Sequence, residues 1–159
     1  MELTPNTANA YIRDAFTKML AVVDRLGDAK INVKPPGPDT NSAAALVVHC
    51  CGVSENWLGH VGLGRPSDRD RDAEFQATAS VAELRSLIEA ARGQAEADVV
   101  ALDASPAPVT RDRPGGAHPV DVDRSPASLV IHVLEELYQH LGHMELTADA
   151  LAAAPAEPP

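Results

Sequence analysis

His132, Glu136, His140 and His143 stand in one stretch, Leu129–Leu146, at spacings of four, four and three. Side chains three or four apart leave the same side of an α-helix about one turn apart. Glu136 and His140, a carboxylate and an imidazole held in this way, can grip one divalent cation. The same pair is also an ordinary helix-stabilising contact, so a metal reading needs a third donor from another part of the chain. His49 is the candidate. Its neighbours Leu46, Val47, Val48 and Val53 are apolar, and it shares one side of a helix with Ala45, Gly52 and Asn56, which are small or polar. A histidine in that setting is either a hydrogen-bonded core residue or a ligand. Two imidazoles and one carboxylate form a common donor set for a divalent ion with open positions. Such an ion lowers the pKa of a bound water or thiol, so that the anion exists near neutral pH.

Other chemistry-bearing residues are weaker candidates. His132 and His143 adjoin the line but need further rotation to share the ion. They read as a bundle-end and a surface group, or as support for a ligand. Asn56 and Trp57 lie on roughly the same side as His49 and are candidates to line a pocket, although a sole Trp is also a natural core residue. His60 and His118 have no such company and read as solvated. Cys50 and Cys51 lack a basic neighbour that would depress a thiol pKa, which leaves core packing as their role. The run Arg65-Pro-Ser-Asp-Arg-Asp-Arg-Asp72 reads as a solvated charged linker.

The elements that must position these residues are helical. A first helix spans Pro5 to about Leu26, capped by Thr4 or Asn6 and stopped at Gly27. Lys34-Pro-Pro-Gly-Pro38 excludes helix. A second helix follows Thr40, Asn41 or Ser42 and runs to about Leu63, with an inward stripe of Ala45, Val48, His49, Gly52, Val53, Asn56 and Trp57. Ser80 and Glu83 form a capping box for a third helix that ends near Leu102. Residues 105–123 are rich in Pro and Gly, include a short extended piece at 117–122, and are long enough for a functional loop beside a site. Ser125 and Pro126 open the fourth helix. The expectation is an all-α four-helix bundle with long connections, one domain over residues 1–151 and an Ala/Pro-rich tail over 152–159.

Composition fits that frame and narrows the partners. Apolar residues make up 45% of 159 and aromatics only 3%, which suits helices packed through small side chains. The net charge of −10 and the lack of a basic patch argue against nucleic acid. No apolar run approaches the ~20 residues of a membrane span, and no secretory signal is visible. Two adjacent cysteines give no disulfide framework, so a cytoplasmic setting is expected.

Two segments carry a resemblance. Leu46-Val-Val-His49-Cys-Cys-Gly-Val-Ser-Glu-Asn-Trp57 and His132-Val-Leu-Glu-Glu136-Leu-Tyr-Gln-His140-Leu-Gly-His143 resemble the second- and fourth-helix signatures of the DinB-like superfamily. That resemblance implies a metal-binding four-helix bundle, usually with three histidines as ligands. Here Glu136 takes the middle position. This is similar to the branch of mycothiol-dependent maleylpyruvate isomerases and mycothiol transferase-like proteins, whose set is His, Glu, His. By the resemblance His49, Glu136 and His140 are metal ligands, with zinc first and nickel, iron or manganese as alternatives. It further implies a homodimer and an S-transferase that activates a low-molecular-weight thiol, plausibly mycothiol, for attack on an electrophilic small molecule. The isomerase's second domain has no counterpart after the fourth helix, and Thr147-Ala148-Asp149 replaces the arginine many transferase-like members carry there. A metal-dependent hydrolase and a non-catalytic metal-binding or stress-response module are the competing classes.

Overall fold

A computed structural model of the chain describes residues 3–104 and 125–153. The loop expected over 105–123, its extended piece, His118 and the end of the tail lie outside the described residues. The described residues form five α-helices, α1 (Pro5–Lys30), α2 (Ala43–Ser54), α3 (Arg71–Glu74), α4 (Val81–Asp103) and α5 (Pro126–Ala153), and α2 continues into a π-helical segment, Glu55–Gly62. The described residues contain no strand. No described helix is long and apolar enough to cross a membrane.

Local chemistry accounts for the boundaries. The Thr7 amide donates to Thr4 Oγ1 at the start of α1, and the Ala45 amide donates to Ser42 Oγ at the start of α2. Ser80 and Glu83 close a full capping box on α4. The Ser128 amide donates to Ser125 Oγ at the head of α5. Gly27 does not stop α1. Its φ of 60° puts a kink there, and one further turn carries the chain to Lys30. The second helix reaches Gly62 as expected, but its last eight residues are wound as a π-helix, the wider form common near functional sites.

The four long helices form a ring in which α1 and α2 are diagonal neighbours, each packed on both α4 and α5. The α1–α2 connection therefore spans a diagonal, and α4 and α5 stand diagonal to each other. α2 is enclosed on nearly all sides, with Ala43 to Val47, His49, Cys50, Cys51 and Val53 all buried. It is not the one-striped helix read from sequence. A helix that is apolar all round belongs inside a bundle, and its run of alanines permits close approach. Phe16, Met19, Leu84, Ile88, Leu137 and Met144 from the other helices share the core with it.

The segment between the π-helix and α4 is not a solvated linker. Arg65 donates from Nη1 and Nη2 to both oxygens of Asp98 on α4, each at 2.6 Å, and also pairs with Glu55. The Asp98 side chain is only 3% exposed. Gly59 makes room for this bridge, since a Cβ there would run into the Arg65 guanidinium. His60, expected to be solvated, is half-buried with Nδ1 against the Arg65 carbonyl. Arg65→Ala leaves the buried Asp98 carboxylate with Gln94 as its remaining side-chain donor, and is expected to cost about 1–3 kcal/mol. Gly59→Ala is expected to act in the same direction. Urea denaturation checks both, and unchanged midpoints would contradict the assignment.

Candidate metal centre

α2 carries His49 into the bundle where α5 presents Glu136 and His140. The three side chains each offer one donor atom, and these atoms lie within 4.8 Å of one another. His140 Nε2 is 3.3 Å from Glu136 Oε2, and His49 Nε2 is 3.7 Å from the same oxygen. Bonds of about 2.0–2.1 Å to a tetrahedral ion place its donors about 3.4 Å apart, so the spacing suits one ion. His49 is buried, whereas the Glu136 and His140 side chains are 22% and 17% exposed. The cluster thus sits at the rim of the core, with solvent on the α5 side.

The hydrogen bonding around His49 supports the fit. Its Nδ1 lies 2.7 Å from Glu74 Oε2. Arg69 donates to both oxygens of Glu74, from Nε at 2.6 Å and from Nη2 at 2.8 Å. Protonated, the ring also points an Nε2 hydrogen at Glu136 Oε2; neutral, it turns its Nε2 lone pair toward that oxygen, and a divalent cation can then take the place of the proton. His140 Nδ1 is buried and meets no hydrogen-bond partner, so the ring is held from its Nε2 side. Residues His49, Glu136 and His140 therefore fit a divalent ion in donor type, spacing and charge.

The ionisation equilibria agree with this picture. Hydrogen bonds from His140 and His49 hold the Glu136 carboxyl far below its ordinary range, against the effect of burial. Burial pushes His49 down, but Glu136 and Glu74 together outweigh it and leave its pKa raised. Glu74 is lowered because Arg69 and His49 overcome its burial. The thiols behave oppositely. Burial drives Cys50 well above its ordinary value and Cys51 to about 12, so both are neutral core groups, as their surroundings in the sequence suggested.

The remaining candidates fall into place around the cluster. His132 is buried rather than a bundle-end residue. Its Nε2 is 3.8 Å from Glu136 Oε1, its Nδ1 is 3.2 Å from Glu135 Oε2, and Trp57 meets its ring edge to face at 4.5 Å. His132, Glu135 and Glu136 form a second trio with donor atoms close together. His143 is half-buried with its ring 6.4 Å from that of His140, and burial together with His140 lowers its pKa. Asn56 is half-buried on the π-helical segment. A groove of about 350 Å³ lies elsewhere, between the start of α1, the end of α4 and the start of α5, and no candidate ligand lines it.

Sequence reasoning missed Glu74, Arg69 and Phe75, whose ring lies 4.5 Å from that of His49. The one signal pointing to them was Gly52, which leaves a gap on the side of α2 that carries His49.

The model of the DinB superfamily matches residues 11–144, and the chain belongs to that superfamily. No curated protein and no solved structure matches it. Membership points to a metal-binding helical protein, in line with the His and Glu groups that the bundle brings together.

The pKa directions fix a pH dependence for the metal-free chain. Ionised Glu136 contributes stability above its ordinary value of 4.5, and this is lost as the pH falls through its depressed folded value. Protonated His49 contributes below its ordinary value of 6.5, and this is lost as the pH rises through its raised folded value. The pair therefore favours the fold most between about pH 4.5 and 6.5. Above that window a divalent cation replaces the lost proton and restores stability. Thermal melts at about pH 6 and pH 8.5, with and without zinc, are expected to show a metal-induced rise in Tm that is larger at the higher pH. A rise independent of pH would contradict the coupling.

Proposed function

We propose that this member of the DinB superfamily is a metal-dependent S-transferase, with His49, Glu136 and His140 as its ligands and a low-molecular-weight thiol, plausibly mycothiol, as its nucleophile. The observation that carries the reading is the three-donor cluster with one side toward solvent. A structural ion is usually enclosed by four protein ligands, whereas three donors and an open side suit catalysis. Zinc fits the donor set best, and nickel, iron and manganese accept the same groups.

A bound ion supplies Lewis-acid binding of sulfur, which lets a thiol exist as its thiolate near neutral pH. The chain's own residues do the rest. His49 and His140 hold their rings so that Nε2 faces the shared carboxylate oxygen. Glu136 contributes the only negative charge among the three donors, so two neutral imidazoles and one carboxylate leave a divalent centre with a net positive charge that favours an anionic fourth ligand. His143, whose pKa burial and His140 lower, has its ring 6.4 Å from that of His140 and would accept the thiol proton. A thiolate held there would bond through its sulfur to the electrophilic carbon as the leaving group departed with the electron pair. Trp57, edge to face on the His132 ring, and Asn56 are the residues of the π-helical segment that this reading assigns to the substrate side of the centre. Assembly as a homodimer and residence in the cytoplasm are expectations that accompany this reading.

His49→Ala and His140→Ala are each expected to lower the bound metal of purified protein to below about one tenth of an equivalent, because each deletes one of three ligands. Elemental analysis measures this, and full occupancy in both variants would remove the site assignment. Thiol consumption with mycothiol, glutathione and cysteine, scored against a panel of alkyl and acyl electrophiles, then tests the activity. Hydrolysis of the same electrophiles without loss of thiol would replace the transferase by a hydrolase. Metal binding with neither reaction would leave a non-catalytic metal-binding module.

A further inference from the structure

We propose that Glu74 is the positioning residue of this centre: it fixes the tautomer of His49 that turns Nε2 toward Glu136 and His140, and Arg69 and Gly52 hold it in place. The inference rests on the metal site of the preceding reading, not on its thiol chemistry.

The tautomer follows from the donors around Glu74. Arg69 donates to each of its oxygens, at 2.6 and 2.8 Å, and a guanidinium forked onto both oxygens keeps the group a carboxylate. An ionised carboxylate only accepts, so the 2.7 Å contact with His49 requires Nδ1 to carry the hydrogen. The Nε2 lone pair is then the ring's free donor, and it faces Glu136 Oε2. A carboxylate behind a metal-bound imidazole normally sets ring orientation in this way. Phe75 lies against the His49 ring at 4.5 Å and restricts its tilt.

The chain builds this support deliberately within a short distance. Asp70 accepts from the amides of Asp72 and Ala73, which starts the single turn of α3. That turn ends on Glu74 and points it into the bundle, where its side chain is 8% exposed. Gly52, three residues after His49, leaves the opening. A Cβ there would run into Glu74 Oε1 and come within 3.2 Å of Arg69 Nε. Arg69 also neutralises the charge of Glu74. His49 is thus oriented without a second net negative charge reaching the ion, and the centre keeps its preference for an anionic ligand.

The test uses the full chain, zinc with a competing chelator, and ¹⁵N NMR of the histidine rings in the metal-free state. Glu74→Ala is expected to weaken zinc binding about 10–100-fold and to shift His49 toward the Nε2–H tautomer. Gly52→Ala removes no donor and no charge, yet is expected to weaken zinc binding in the same way by displacing Glu74. Glu74→Gln keeps an oxygen that accepts from Nδ1–H and is expected to recover most of the affinity. If Glu74→Ala does not fold, Gly52→Ala carries the same comparison. Wild-type zinc affinity in Glu74→Ala or Gly52→Ala, or an unchanged His49 tautomer, would overturn the assignment. Were the wild type itself to bind no zinc, the metal reading would fail while the tautomer measurement still decided the role of Glu74.

Discussion

Glu136 is the only acid on α5 with imidazoles on both of its oxygens. His49 and His140 approach Oε2 at 3.7 and 3.3 Å, and His132 approaches Oε1 at 3.8 Å. A carboxylate drawn partly out of water persists only where positive charge compensates it. Here the compensation comes from rings that are neutral or charged according to what else binds. The local structure is therefore an arrangement around one anion. Each ring turns Nε2 inward, and the outer nitrogens differ. His49 hands its Nδ1 hydrogen to Glu74, His132 has Glu135 at 3.2 Å, and the Nδ1 of His140 is buried without a partner. Of the three, His49 is the most firmly fixed and His140 the least.

That difference follows from where the helices stand. α2 is surrounded by the other elements, so His49 has protein on every side and can be braced from behind. α5 keeps one side near solvent, so Glu136 and His140 face outward at their edges. The ring order, with α2 touching both α4 and α5 but lying diagonal to α1, puts the braced His49 ring inside and Glu136 and His140 at the rim. A short loop between α1 and α2 would favour neighbouring rather than diagonal placement. The Pro-rich stretch 34–38, which no helix can use, supplies the length to cross. The sequence feature that looks least structural is thus part of what places His49 opposite Glu136.

Much of this was legible because helices announce themselves locally. Thr4, Ser42, Ser80 and Ser125 each cap the helix their position suggests, and the 3–4 spacing of Glu136, His140 and His143 survives because one helix holds all of them. Four features were not legible. The π-helical winding of Glu55–Gly62 changes which residues share a side, and nothing in ENWLGHVG signals the change. The burial of His132 depends on Trp57 arriving from that same segment. Glu74 reaches His49 across 25 residues of sequence through an irregular connection, where no periodicity exists to be read. Charge alternation in residues 65–72 resembles a solvated run because composition does not reveal which arginine finds a buried acid.

Gly52 and Gly59 show what that connection does. They are seven residues apart, close to two turns along the combined α2 and π-helical rod, and each is open where a side chain from the connection enters. Gly52 admits Glu74 with Arg69, and Gly59 admits Arg65. The two arginines perform one task at two places: each puts a guanidinium on a carboxylate that is largely shielded from water, Glu74 in one case and Asp98 in the other. In a chain with 23 acids and 13 Lys and Arg, buried carboxylates are the scarce-partner problem of the fold, and the connection solves it with residues that a helix of the bundle does not supply. A substitution filling either glycine would therefore act at a distance from its own backbone, by stranding an acid. At Gly59 the consequence falls on stability, through Asp98. At Gly52 it falls on the orientation of His49, and so on the centre that the whole arrangement around Glu136 serves.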